Sequence, residues 1–172
     1  LVVLTATVLF WSAGAGAQKK PLPPVVDVHT HLIGKPPVLP SAIKVAESFL
    51  ARYPIEKMVL SHTPAGGKNV MYKFFALKRF LQGKDRFAFL GGGGSLNPMI
   101  HRHDADSGDH KNLVEEFDKI ADTIILAGGA GYGEMSSLHI SVMPGHEYNF
   151  QPADHPLFRR LADIAARHDV PI

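Results

Sequence analysis

The chain has 172 residues, of which 45% are hydrophobic and 20% are charged, and its formal net charge is +2. This composition is that of an ordinary globular protein, which excludes a disordered or fibrous chain. Because the sequence has no Lys/Arg block and no basic–aromatic stripe, nucleic acid is not an expected partner. The absence of cysteine excludes thiolate ligands and a Cys nucleophile, so any metal must be held by His and carboxylate side chains.

Residues 1–17 form a distinct segment at the start of the sequence. They carry no charge, and an apolar stretch leads into Ala15-Gly16-Ala17, a pattern that signal peptidase accepts. We therefore predict a signal peptide that lacks its basic n-region and is cleaved on export, to the periplasm or the outside, leaving no stable membrane insertion. A retained membrane anchor is the alternative, but the apolar stretch is short for a bilayer. Residues 18–24 follow as a Pro-rich linker.

From residue 24 onward, strand patterns alternate with helix patterns. The predicted strands are 24–32, 56–61, 86–90 and 130–135, and the predicted helices are 41–52, 70–82, 112–125 and a segment from Pro156 capped by Asp154. Residues 170–172 open a fifth strand. This alternation predicts an α/β fold with right-handed βαβ units and a parallel sheet. Four units and the start of a fifth make residues 25–172 the expected N-terminal half of a (β/α)8 TIM barrel.

The first predicted strand carries the strongest chemical signal. Side chains alternate across a strand, so Asp27, His29 and His31 are expected on one face, while Val26 and Val28 face covering helices. Buried polar groups without partners are costly, and two imidazoles at this spacing can bind one divalent ion. Asp27, one step deeper, is expected to support the ligands as a hydrogen-bond acceptor rather than to bind the ion. The alternative is a hydrogen-bonded pair of core histidines.

This motif on the first strand resembles the amidohydrolase superfamily, in particular its amidohydrolase-related (amidohydrolase 2) branch. The resemblance implies a divalent metal, commonly zinc, held by His29 and His31 at the C-terminal mouth of a barrel. It also implies further histidine ligands and an Asp general base on later strands, which are expected beyond Ile172.

Two residues on later strands are candidates for the same site. Glu134 lies in the segment Gly131–Met135, similar to the Gly-Glu of strand four in amidohydrolase-like families, and is a candidate metal ligand. Its alternative is a hydrogen-bonded carboxylate within the barrel or a loop. His62 follows the second strand and is a candidate for substrate contact. We expect the His101–Asp106 run to be a solvated polar loop, and Gly91–Gly94 to be a flexible loop above the pocket.

The sequence therefore predicts a metal-dependent hydrolase in which an activated water attacks the carbonyl of a small amide, lactam, lactone or ester. Export favours hydrolysis of a scavenged small molecule. A metal-dependent decarboxylase of the same family and a non-catalytic ligand-binding barrel are the alternatives. Residues 1–172 are expected to be inactive alone, because the base lies beyond Ile172. The substrate, the number of metal ions and homo-oligomer formation stay open.

Overall fold

The structure, a computed structural model, describes residues 23–32, 37–64, 71–103, 110–140 and 148–172. The predicted signal peptide and most of the predicted linker lie outside the described residues. The described elements, in chain order, are β1 (Val25–His31), α1 (Leu39–Arg52), β2 (Ile55–Ser61), α2 (Met71–Leu81), β3 (Phe87–Phe89), β4 (Gly91–Gly92), α3 (Leu96–Arg102), α4 (His110–Leu126), β5 (Tyr132–Gly133), β6 (Leu138–His139), β7 (Asn149–Phe150) and α5 (Pro156–His168). None of these helices is both long and apolar enough to cross a bilayer.

Parallel pairing brings the ends of several strands together. The largest described sheet has the order β1-β2-β3, and His31 at the end of β1 lies opposite Ser61 at the end of β2. A second parallel pair joins β4 to β5, with Gly92 opposite Gly133. The third sheet is the antiparallel pair β6–β7. Because parallel strands end at the same edge of a sheet, residues that follow paired strands are neighbours in space.

The prediction of a half TIM barrel is wrong. The described residues form sheets of three, two and two strands, one of them antiparallel, and they contain no barrel. The physical reason lies in the predicted third and fourth strands, neither of which contains a β-branched side chain of the kind that stabilises strands, and in Gly131 and Gly133, which weaken the fourth. Leu90 separates β3 from β4, and the strand predicted for 130–135 is reduced to Tyr132–Gly133.

The glycine run 91–94 is buried and is not the flexible loop that we expected. Its first two residues form β4, and the chain then enters α3, a helix that the sequence pattern did not predict. A Cβ on Gly91 would lie 2.5 Å from the Ile124 side chain and 2.8 Å from that of Phe74. Glycine is therefore needed at this position because the packed side chains leave no room for a Cβ.

One face of β1 is exposed to solvent. Val26 and Val28, which we expected under helices, are 50% and 69% exposed. Among the described residues β1 pairs only with β2, and α1 packs against β2. The exposure of the two valines thus follows from the place of β1 at the edge of its sheet.

The buried side chains form two clusters. One lies between α1, α2 and the β1–β2–β3 sheet, and its members include Ile43, Leu50, Met58, Leu60 and Leu81. The other is formed by α3, α4, α5 and β5, and its members include Leu96, Ile100, Phe117, Ile124, Tyr132, Leu161 and Ile164. In the second cluster the Tyr132 hydroxyl donates to the carbonyl of Ala121 at 3.1 Å, and burial raises the pKa of Tyr132 to about 12.

A buried pair of histidines connects the end of α3 to the start of α5. His155, rather than the predicted Asp154, caps α5, because its Nδ1 accepts from the backbone N–H of Leu157 at 3.2 Å. The neutral ring then carries its proton on Nε2, which donates to Nδ1 of His103 at 3.1 Å. Burial lowers the pKa of His155, and the neighbouring His103 and His101 lower it further. The charge of Asp154 has the opposite effect and raises it.

This pair predicts that acid destabilises the fold. Below the ordinary histidine pKa of about 6.5, the unfolded chain binds a proton that buried His155 resists, so the free energy of unfolding falls as the pH is lowered. We expect the melting temperature to drop between about pH 7 and pH 5, and to depend less on pH in His155→Asn, which keeps a capping side chain. The control is His168→Gln on the same helix, whose parent ring contacts Asp122 at 2.7 Å. Equal pH dependence in wild type and His155→Asn would contradict the assignment.

Candidate metal centre

His29 and His31 meet at the C-terminal end of β1. Their Nε2 atoms are 3.0 Å apart, and the rings are at 88° with centroids 4.8 Å apart. Spacing of two along a strand explains why both side chains reach the same side of the sheet. The prediction that these two histidines share a face is confirmed.

Glu134, directly after β5, joins the two histidines. Its Oε2 lies 3.0 Å from Nε2 of His31 and 3.6 Å from Nε2 of His29. In the described part of the chain this is the one group of three His, Asp or Glu residues with ligand atoms close enough to share an ion. The group could hold a metal ion.

The ends of β2, β4 and β5 bring Glu134 to the histidines. The Glu134 N–H donates to the carbonyl of His62, and the Gly93 N–H donates to the carbonyl of Gly133, both at 3.4 Å. A Cβ on Gly93 would lie 2.7 Å from the His62 oxygen and 2.8 Å from the Glu134 oxygen. These backbones can converge because residue 93 has no side chain.

A hydrogen bond fixes the orientation of the His31 ring. Its Nδ1 lies 3.1 Å from the carbonyl oxygen of Ser61 and 3.2 Å from the hydroxyl of the same residue. Because the carbonyl can only accept and the hydroxyl can also accept, a proton on Nδ1 of the neutral ring satisfies both contacts. The lone pair on Nε2 then faces the carboxylate of Glu134 at 3.0 Å. Two electron-rich atoms at this distance repel each other unless a proton or a metal cation lies between them. The same Nδ1-to-carbonyl bond is the usual way in which proteins orient a metal-binding histidine.

The size of the group fits one small divalent ion. Ligand atoms on a tetrahedral ion such as zinc, with bonds of about 2.0–2.1 Å, lie about 3.3 Å apart. The three separations in this group are 3.0, 3.0 and 3.6 Å. These separations would allow His29, His31 and Glu134 to hold one small divalent ion together.

The donor set and its exposure leave room for a further ligand. Two neutral imidazoles and one carboxylate form a donor set found in catalytic zinc sites that keep an open position. The side chains of His29, His31 and Glu134 are 61%, 23% and 36% exposed. Water and a small substrate can therefore reach the ligand atoms from the side of His29.

The other two predicted site residues lie outside this group of three. Asp27 accepts from the backbone N–H of His29 at 3.1 Å and from the Thr30 hydroxyl at 2.7 Å. A register shift between Asp27 and Thr30 interrupts the regular alternation that we expected of β1. The imidazole of His62 contacts the carbonyl of Thr63 at 2.6 Å, and contact of His62 with substrate stays a prediction.

Sequence reasoning missed the residues that hold His31 and Glu134 in place. Ser61 could have been found, because parallel pairing of the first two strands places it opposite His31. Gly93 carries no such signal, since its role depends on how closely two backbones approach. The expected polar loop is also wrong in part, because His101 lies on α3, and His101 and His103 are buried. Residues 104–106 of that run lie outside the described residues.

The comparisons with known proteins give no family for the chain. No protein-family model, no curated protein and no solved structure matches it. The amidohydrolase resemblance therefore stays a prediction that rests on Asp27, His29, His31 and the Gly133-Glu134 pair.

Proposed function

We propose that this protein is an exported metal-dependent hydrolase that holds one divalent ion, zinc in the simplest case, between His29, His31 and Glu134. The observation that carries the proposal is the 3.0 Å contact of Nε2 of His31 with Oε2 of Glu134, in a ring whose Nδ1 lies against the carbonyl of Ser61. A cation accounts for that contact without a charged histidine, and it also accounts for the third atom, Nε2 of His29, at 3.0 Å. Export rests on the signal-peptide pattern of residues 1–17.

The residues of the chain prepare the site for a carbonyl substrate. A divalent ion bound there would supply Lewis-acid chemistry, lowering the pKa of a coordinated water towards about 7 and polarising a carbonyl. Ser61 holds His31 in the tautomer that presents Nε2, and Asp27 holds the backbone of His29. Glu134 contributes one negative charge, so the ligand set as a whole does not neutralise a divalent ion. The amidohydrolase resemblance supports hydrolysis.

A substrate panel tests the proposed activity. The full chain is loaded with zinc and assayed against small amides, lactams, lactones and esters, with His31→Ala as the matched inactive variant. We expect hydrolysis that requires zinc and is lost in the variant. Zinc-dependent release of CO2 from carboxylic acids would identify the decarboxylase instead. Ligand binding without turnover of any compound would identify a binding protein.

The close approach at Gly93 makes a separate prediction about the metal centre. Gly93→Ala places a methyl group against the carbonyls of His62 and Glu134, so one backbone must move and the Glu134 carboxylate moves with it. We expect zinc affinity to fall by roughly 10- to 100-fold, the usual effect of disturbing groups that orient ligands. Competition with a chelator measures the zinc affinity of the variant. Gly83→Ala is the control for backbone strain away from the site, because Gly83 has a φ of +76°, which disfavours alanine, while a Cβ there meets no atom within 4 Å. Equal losses in the two variants would contradict the role of Gly93.

A further inference from the structure

We propose that Asn97 and His101 of α3 are positioning residues for Glu134, which they hold in place through the backbone of Ser136. The Ser136 N–H donates to Oδ1 of Asn97 at 2.9 Å, and Nε2 of His101 donates to the Ser136 carbonyl at 2.7 Å. One residue, two positions after Glu134, thus has both of its backbone polar groups bound by side chains of one helix. The inference rests on the proposed function, because its readout is metal affinity at the same three ligands.

The spacing and packing of α3 suit it to this role. Residues four apart lie on the same face of a helix, so the side chains of Asn97 and His101 can both reach the backbone of Ser136. Leu96 and Ile100 of α3 are fully buried in the second hydrophobic cluster. A helix fixed in the core is a rigid support, which is what precise placement of a ligand requires.

The hydrogen bonds to Ser136 are the short ones in this segment. The bond from the Glu134 N–H to His62 is 3.4 Å long, which is beyond the usual range for N–H···O bonds. The two bonds at Ser136 are 2.9 and 2.7 Å. Between β5 and β6 the chain has no strand pairing at residues 134–136, so α3 supplies the bonds that a sheet would otherwise provide.

The His101 ring is poorly explained by stability alone. Because Nε2 donates to a carbonyl, Nδ1 keeps the lone pair, and Nδ1 is buried with no hydrogen-bond partner among the described residues. His101 is only 9% exposed, and burial lowers its pKa, against the opposing effect of the bond to Ser136. An unsatisfied buried acceptor is costly, and an apolar side chain would avoid the cost. What the imidazole adds is the bond to Ser136.

Paired variants of the full chain test the inference by zinc competition. His101→Leu removes the donor to Ser136, and Asn97→Leu removes the acceptor, each with a side chain that suits a buried position. We expect both to weaken zinc binding by roughly 10- to 100-fold. His101→Gln, whose amide nitrogen can take the place of Nε2, should recover most of the affinity. Met99→Leu, on the same helix and 5% exposed in the parent, is the control that should bind zinc as the wild type does.

Two further readouts separate positioning from folding. The melting temperature of His101→Leu should stay close to that of the wild type while its affinity falls, because the unsatisfied imidazole nitrogen is removed as well. In the wild type, zinc should slow hydrogen exchange of the Ser136 amide. If the bonds from Asn97 and His101 to Ser136 strengthen zinc binding, zinc binding must strengthen those bonds by the same factor. This second measurement needs no variant, so it holds even where a leucine variant fails to fold.

The outcomes distinguish the inference from the proposed function. If the wild type binds no zinc, or if His31→Ala binds it equally well, the metal centre fails and the positioning role fails with it. If zinc binding depends on His31 but is unchanged in His101→Leu and Asn97→Leu, only the positioning role is overturned. Equal losses in His101→Leu and His101→Gln, or exchange of the Ser136 amide that zinc does not change, would also overturn it.

Discussion

Replacing His31 with alanine is expected to remove almost all zinc binding. His31 is the central residue of the proposed site, since its Nε2 lies 3.0 Å from Nε2 of His29 and from Oε2 of Glu134, whereas those two atoms are 3.6 Å apart. The binding free energy of zinc held by about four ligands is about 10–16 kcal/mol, which is about 3 kcal/mol for each ligand. Loss of one ligand therefore corresponds to a fall in zinc affinity of roughly 100- to 1000-fold. His29 is the more exposed of the two, so His29→Ala should weaken binding less than His31→Ala.

Chelator competition and metal analysis of the purified variants measure this loss. His168→Ala is the matched control, because that ring lies on α5 and contacts Asp122 rather than the site. We expect the control to keep wild-type affinity and all the variants to have circular dichroism spectra similar to that of the wild type. Equal zinc affinity in wild type and His31→Ala would contradict the assignment of the ligands.

Replacing Phe117 with alanine is expected to have the largest effect on stability. Phe117 is 0% exposed and lies in the cluster that α4 forms with α3, α5 and β5. Removal of a fully buried phenylalanine costs about 3–5 kcal/mol, from lost transfer energy and the cavity left behind. Since the free energy of unfolding of a domain is only about 5–15 kcal/mol, this one change removes a large part of it.

Urea unfolding followed by circular dichroism measures the effect. Phe150→Ala is the control, because Phe150 is 61% exposed on β7 and its truncation should cost well under 1 kcal/mol. The same cluster contains α3, so Phe117→Ala should also weaken zinc binding through Asn97 and His101. If the urea midpoints of Phe117→Ala and Phe150→Ala were the same, this would contradict the burial of Phe117 in its cluster.

The meeting of His29 and His31 could be predicted from the sequence because its signal is local. A period of two along a strand is enough to place His29 and His31 together, and it needs no knowledge of the rest of the fold. Glu134 required a resemblance as well, since 103 positions separate it from His31 in the sequence. The structure brings all three within 3.6 Å.

The fold could not be predicted in the same way. Strand–helix alternation identifies the elements, but the extent of each strand depends on which side chains pack against it, as the buried glycines 91–94 show. Helix α3 has only seven residues and includes Asn97-Pro98, a pair that usually indicates a turn. The cap of α5 was placed one residue early because Asp154 is the stronger capping residue, whereas burial against His103 favours His155 in the fold.

His29, His31 and Glu134 are proposed to bind one ion together. Anomalous diffraction at the zinc absorption edge, from crystals of the zinc-loaded protein, tests it most directly. We expect one strong peak within about 2.0–2.2 Å of Nε2 of His29, Nε2 of His31 and a carboxylate oxygen of Glu134. A peak that contacts other residues, or no peak beside a well-ordered His29–His31 pair, would contradict it.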